Sequence, residues 1–187
     1  MLARNTNEIA KQAILKPPAT DYLPQAQNAK HYADLLIENH LWMPALNYMS
    51  HAIPAREGVW WAWYCVRKAV LPVATPEEQK ALSLAEGWIA LPNEDNRLAA
   101  KAYAERIPSG SPPQCVLEAI AFTGELEDPI TGKTAPAIPY MSSKFVAAAV
   151  VGASYIPDPE NPEVTAIEFL KQAFDVASRI NVWSQYS

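Results

Sequence analysis

The segment PAREGVWWAWYCVRK, residues 54–68, gathers three tryptophans, a tyrosine and four charged side chains into four helical turns. Rings at this density serve one of two purposes: core packing with one indole N–H bond each, or a stacking platform for a cation or planar ligand. Core packing is the commoner use, so Trp60, Trp63 and Trp88 are assigned to a buried aromatic core. Glu57 and Arg67 stand on the same apolar helix, where charges persist only when paired. With Glu86 of the following helix they form a candidate structural polar brace. The same three residues in an open cleft would instead be the polar set of a small hydrolase or ligand-binding enzyme. Arg67 lies one turn from Trp63 and Tyr64, within reach of a cation–π contact, and Arg56 is placed the same way toward Trp60.

Other reactive side chains are scattered. His31, His40 and His51 are not spaced four apart. His31, Asp34 and Glu38 share a helix face at spacings that suit a weak surface metal site, although a solvated face is the commoner outcome. Cys65 and Cys115 are 50 residues apart with no second Cys or His beside either, so zinc-ligand spacing is missing and both read as plain thiols of a reducing compartment. No Ser or Cys sits in a strand–turn–helix nucleophile setting, and six glycines form no phosphate-binding loop. No catalytic residue, metal site or cofactor is nominated.

The elements that carry these residues are punctuated by proline, 17 of 187 residues against a usual frequency of about 5%. Between prolines, apolar residues recur at three and four spacing, and alternating β-branched runs are nearly absent. The expectation is an all-α, irregular helical bundle of eight or nine helices in a single domain, 1–187. Helices are predicted at 7–15, 24–39, 41–49, 54–71, 76–91, 94–106, 113–122, 143–155 and 163–180. Thr75 and Glu78 form a capping box, Pro54 occupies a first helical position, and Asn161 caps the last helix. Helix 54–71 is apolar nearly all round and is expected at the centre. The hairpin 75–107 has the size of a helical repeat, but no second copy appears.

Composition narrows the class further. Half the residues are apolar and 19% are charged, which suits a packed globule. Net charge is -5, and no basic run exceeds Arg67-Lys68, so nucleic acid is not an expected partner. Residues 1–70 hold seven basic and five acidic side chains, residues 71–187 eight and fifteen; the acidic part is a solvated face or one that selects a partner by charge. The amphipathic N-terminus does not read as a secretory signal. The longest apolar stretch, 145–156, is too short to span a bilayer. A cytoplasmic protein without membrane insertion is expected.

The Pro-rich loop 123–142 is unusually long for a compact domain. Its stretch Ala135-Pro-Ala-Ile-Pro-Tyr140 should follow an extended path that covers the helices or meets a partner protein. Pro136, Pro139 and Tyr140 are the candidate partner-binding residues, with Trp42 a second place where bulky apolar groups lie beside chain breaks. Small residues Ala148, Ala149, Gly152 and Ala153 let another helix approach closely, within the core or across a homodimer seam.

Together, PAREGVWWAWYCVRKA, LAEGWIALPNEDNRLAAKAYAE and the Pro-rich loop followed by KFVAAAVVGA resemble a bacterial, mostly proteobacterial, all-helical family of unknown function that carries a VWWA…R helix. The resemblance covers about residues 40–180 and leaves 1–40 unassigned. The matching positions Val59, Trp60, Trp61, Ala62, Arg67 and Trp88 are read as architectural. Members sometimes found near type VI secretion components imply an accessory role, and no catalytic residues carry over. The expected function is therefore a non-enzymatic interaction protein, adaptor or chaperone-like.

Overall fold

The computed structural model describes residues 5–127 and 131–185. Among these the chain forms nine α-helices: α1 Thr6–Gln12, α2 Ala29–Glu38, α3 Trp42–Ala52, α4 Ala55–Val70, α5 Pro76–Ala90, α6 Glu94–Ala104, α7 Pro112–Ala121, α8 Met141–Ser154 and α9 Pro162–Arg179. Three 3-10 segments, Ala19–Gln25, Leu71–Val73 and Val182–Gln185, extend or join them. Two strands of two residues, β1 Leu126–Glu127 and β2 Thr134–Ala135, pair antiparallel inside the Pro-rich loop. The fold is all-α.

Local chemistry sets the helix starts. The Thr75 hydroxyl accepts the Glu78 amide at 3.2 Å, and the Glu78 carboxylate accepts the Thr75 amide at 2.9 Å, so two orphan donors of α5 are satisfied. Asn93 accepts the Asn96 amide at the start of α6. At three starts the local chemistry differs from expectation. The segment predicted as one helix over 24–39 divides, because Pro24 lies in a 3-10 turn and Asn28 caps a new helix by accepting the His31 amide. Pro54 is the cap of α4 rather than its first helical residue. Asn161 turns its side chain to Asp158 and does not cap α9 with it.

Every α-helix contributes to one buried apolar cluster, from Ile9 in α1 to Phe169 in α9. α8 lies at its centre, packed against α3, α4, α7 and α9. Ala149 and Ala153 are fully buried there, while Gly152 is half-buried and Ala148 exposed, so only part of the small-residue set of α8 is used in packing within the chain. At Gly152 a β-carbon would sit 3.2 Å from Cγ of Pro112, which is how the start of α7 comes so close. α4 packs against α5, α7, α8 and α9. Among the described residues no helix is long and apolar enough to cross a membrane.

Candidate functional site

The two faces of α4 sort its aromatic residues. Trp61 is fully buried on the stripe shared with Gly58, Ala62, Cys65 and Ala69, and its indole N–H donates to the Phe169 carbonyl at 3.0 Å. Trp60 and Trp63, assigned by sequence to the buried aromatic core, pack against it but are only half-buried. They share their stripe with Arg56 and Arg67, one and two turns away, and those charges keep that side at the surface. Trp63 donates to the Leu82 carbonyl at 3.0 Å and carries the Arg67 guanidinium 5.4 Å above its ring. Trp60 stacks on Tyr64 with centroids 5.8 Å apart. Trp88 of α5 is buried.

The expected brace of Glu57, Arg67 and Glu86 is not a buried unit. Arg67 and Glu86 are exposed and Glu57 is half-buried. Glu57 and Arg67 are ten residues apart on one helix, a separation of about 15 Å along its axis, too long for a direct ion pair. Glu57 lines a groove with α9, while Arg67 borders a different depression with Tyr64 and Leu71. The geometry therefore offers no common acid–base site for these three.

The buried charge belongs to Arg97, which sequence reasoning passed over. It is 4% exposed. Its Nε donates to Glu94 at 2.8 Å and a terminal nitrogen to the Ala121 carbonyl at 2.7 Å. The other terminal nitrogen also meets Glu94. That hydrogen bond holds the Glu94 carboxyl below its usual range, and the same bond raises Arg97. The i,i+3 spacing of Glu94 and Arg97 was the available signal; the Ala121 carbonyl, 24 residues on, was not.

Arg97 thus anchors the end of α7, where the Pro-rich loop begins. Phe122 stacks on Phe145 of α8 at 5.4 Å, and the Ser142 hydroxyl donates to the Ala119 carbonyl at 2.8 Å, so both roots of the loop are tied together. Pro136, Pro139 and Tyr140 are exposed; Ile138 is 56% and Tyr140 37% exposed. Tyr140 sits at φ 63° as α8 starts, a left-handed conformation that a non-glycine residue adopts at some cost. The expected 20-residue excursion is shortened by the β1–β2 pair, and α8 begins two residues earlier than predicted. Trp42 opens α3 half-buried against the core.

A second feature combines an aromatic wall with charge. A groove of about 270 Å³ runs between the start of α4, the end of α5 and the C-terminal half of α9, with Trp60, Ile89 and Val176 along its floor. Elsewhere, His31 Nδ1 accepts the Gln27 amide at 3.2 Å and Asp34 pairs with Lys30, so two side chains of the His31, Asp34 and Glu38 face are engaged locally. Among the described residues no group of three or more His, Cys, Asp or Glu is placed to hold a metal ion. Burial raises both thiols, Cys65 well above its ordinary value and Cys115 to about 11, which leaves little nucleophilic thiolate at neutral pH.

A family model, DUF6931, described as a family of unknown function, matches residues 32–177, from within α2 to the last turn of α9. No curated protein and no solved structure matches the chain.

Proposed function

The chain belongs to DUF6931, a family of unknown function, and from its proline–aromatic loop we propose that it is a non-enzymatic protein-interaction protein, an adaptor or chaperone-like subunit acting in the cytoplasm. The observation that carries this reading is the exposure of Ile138 and Tyr140 beside Pro136 and Pro139, on a loop whose two roots are tied to α7 and α8. Prolines limit the conformations that must be given up on docking. An aromatic-lined groove on another protein is the surface that accepts such a segment. Resemblance to proteins found near type VI secretion components, together with the acidic part 71–187, supports an accessory role in a bacterial secretion or envelope machine.

The test is affinity purification of the tagged chain from its own cells, read by mass spectrometry, beside the variants Tyr140→Ala and Pro136→Ser/Pro139→Ser. Loss of the captured protein with an unchanged melting temperature is the expected result. A large fall in melting temperature would make the loop a structural lid over the helices and end the docking reading. Recovery of a small metabolite and no protein would favour a ligand-binding protein instead.

A further inference from the structure

Three helix ends meet at the 270 Å³ groove. α4 supplies Trp60 and α5 supplies Ile89 from its last turn, while α9 supplies Val176, with Ile180 just beyond it. Stacking on Tyr64 steadies the Trp60 ring without sealing it from solvent. The rim carries two cations and two anions, Arg56 and Glu57 from α4 with Asp175 and Arg179 from α9. Among the described residues none of these four makes an ion pair. That holds even for Asp175 and Arg179, four apart on one helix, a spacing at which such pairs form.

Charges of both signs therefore border an apolar floor with their hydrogen-bonding capacity uncommitted. A ligand of a single sign would meet two like charges along with its two opposite ones, whereas a zwitterion can match all four. The volume lies at the small edge of ligand pockets, roughly 300–1,000 Å³, which suits a molecule of amino-acid size better than a nucleotide cofactor.

We propose that this groove binds a zwitterionic α-amino acid or dipeptide with a bulky apolar side chain. Its carboxylate meets Arg56 and Arg179, whose planar guanidinium forks match carboxylate geometry. Its ammonium meets Glu57 and Asp175, and its side chain lies against Trp60 and Val176. This inference is independent of the loop and stands or falls separately from the docking reading.

Isothermal titration calorimetry of the full chain tests it with four probes: L-phenylalanine, the dipeptide Leu-Phe, N-acetyl-L-phenylalanine as an anion and L-phenylalaninamide as a cation. Saturable heat is expected for a zwitterion, with both one-signed derivatives weaker by about tenfold or more. Tighter binding of Leu-Phe would assign the site to a peptide, and tighter binding of phenylalanine to the free amino acid. Arg179→Gln and Asp175→Asn, both at exposed positions, should each weaken binding without lowering the melting temperature. The proposal is overturned if neither zwitterion gives saturable heat up to about 10 mM. It is equally overturned if a one-signed derivative binds as tightly, or if both substitutions leave binding unchanged. The comparison of probes on the unaltered chain stands even if a variant misfolds.

Discussion

A β-carbon on Gly124 would lie 2.6 Å from Nε and 2.8 Å from Cδ of Arg97. The side chain has little room to retreat, since all three guanidinium nitrogens are engaged by Glu94 and the Ala121 carbonyl. Gly124→Ala should therefore destabilise the chain by about 1–3 kcal/mol through overpacking. Arg97→Met should cost about as much by orphaning the buried carbonyl. The two changes should not add: once the guanidinium is gone, the methyl introduced by Gly124→Ala has nothing to strike, so most of its cost disappears in the double variant. Urea unfolding of the four proteins measures this, and simple additivity would contradict the clamp. pH offers a second check. Because Arg97 lowers the folded-state value of Glu94, the Glu94 contribution is present above its unfolded value and is lost as pH falls through the lowered one. That acid-side loss should be smaller in Arg97→Met.

At the scale of the element, α4 is a two-faced beam. Its inner stripe closes on α9 through Trp61, which is fully buried and hydrogen-bonded to the Phe169 carbonyl. Its outer stripe presents Trp60 and Trp63, each partly open to solvent. Trp61→Ala should then cost about 3–5 kcal/mol, the range for emptying a large buried aromatic site. Trp60→Ala should cost only about 1–2 kcal/mol, because less area is returned to water. Chemical denaturation of the pair checks the order, and equal costs would mean that both faces of α4 are sealed. Charge at Arg56 and Arg67 marks the outer stripe in the sequence; the even spread of apolar residues around the rest of the helix hides it.

For the whole molecule, the family match starts at residue 32, yet the described residues before it, from Asn5 on, contribute to the core. Ile9 and Ala19 are fully buried, and the Tyr32 hydroxyl donates to the Ala19 carbonyl at 2.9 Å. Deleting residues 1–28 should therefore lower the melting temperature by roughly 5 °C or more. That follows from exposing about 2 kcal/mol of apolar contact, at about 2–4 °C per kcal/mol for a chain of this size. Differential scanning calorimetry reads the effect, and an unchanged transition would make the segment an appendage.

What could be read from the chain alone was whatever acts within about one turn of helix. The capping box of Thr75 and Glu78, the proline boundaries and the three-and-four apolar spacing placed most helices within a few residues and established the all-α class. Errors arose where a local signal had two outcomes, as at Asn28, which started a new helix inside a predicted one. Pairing across distance was a different matter. Glu57 and Arg67 looked like a brace because both lie on an apolar helix, but their rise along its axis keeps them apart. Arg97 became the buried cation because Glu94, the Ala121 carbonyl and side-chain-free Gly124 converge on it from different elements. The groove likewise needs Trp60 and Asp175, more than a hundred residues apart, to face each other. Hydrogen-bond patterns along a helix are set by neighbours in sequence, whereas burial and the company a charge keeps are set by which faces the other helices cover, and that is decided only when the bundle closes.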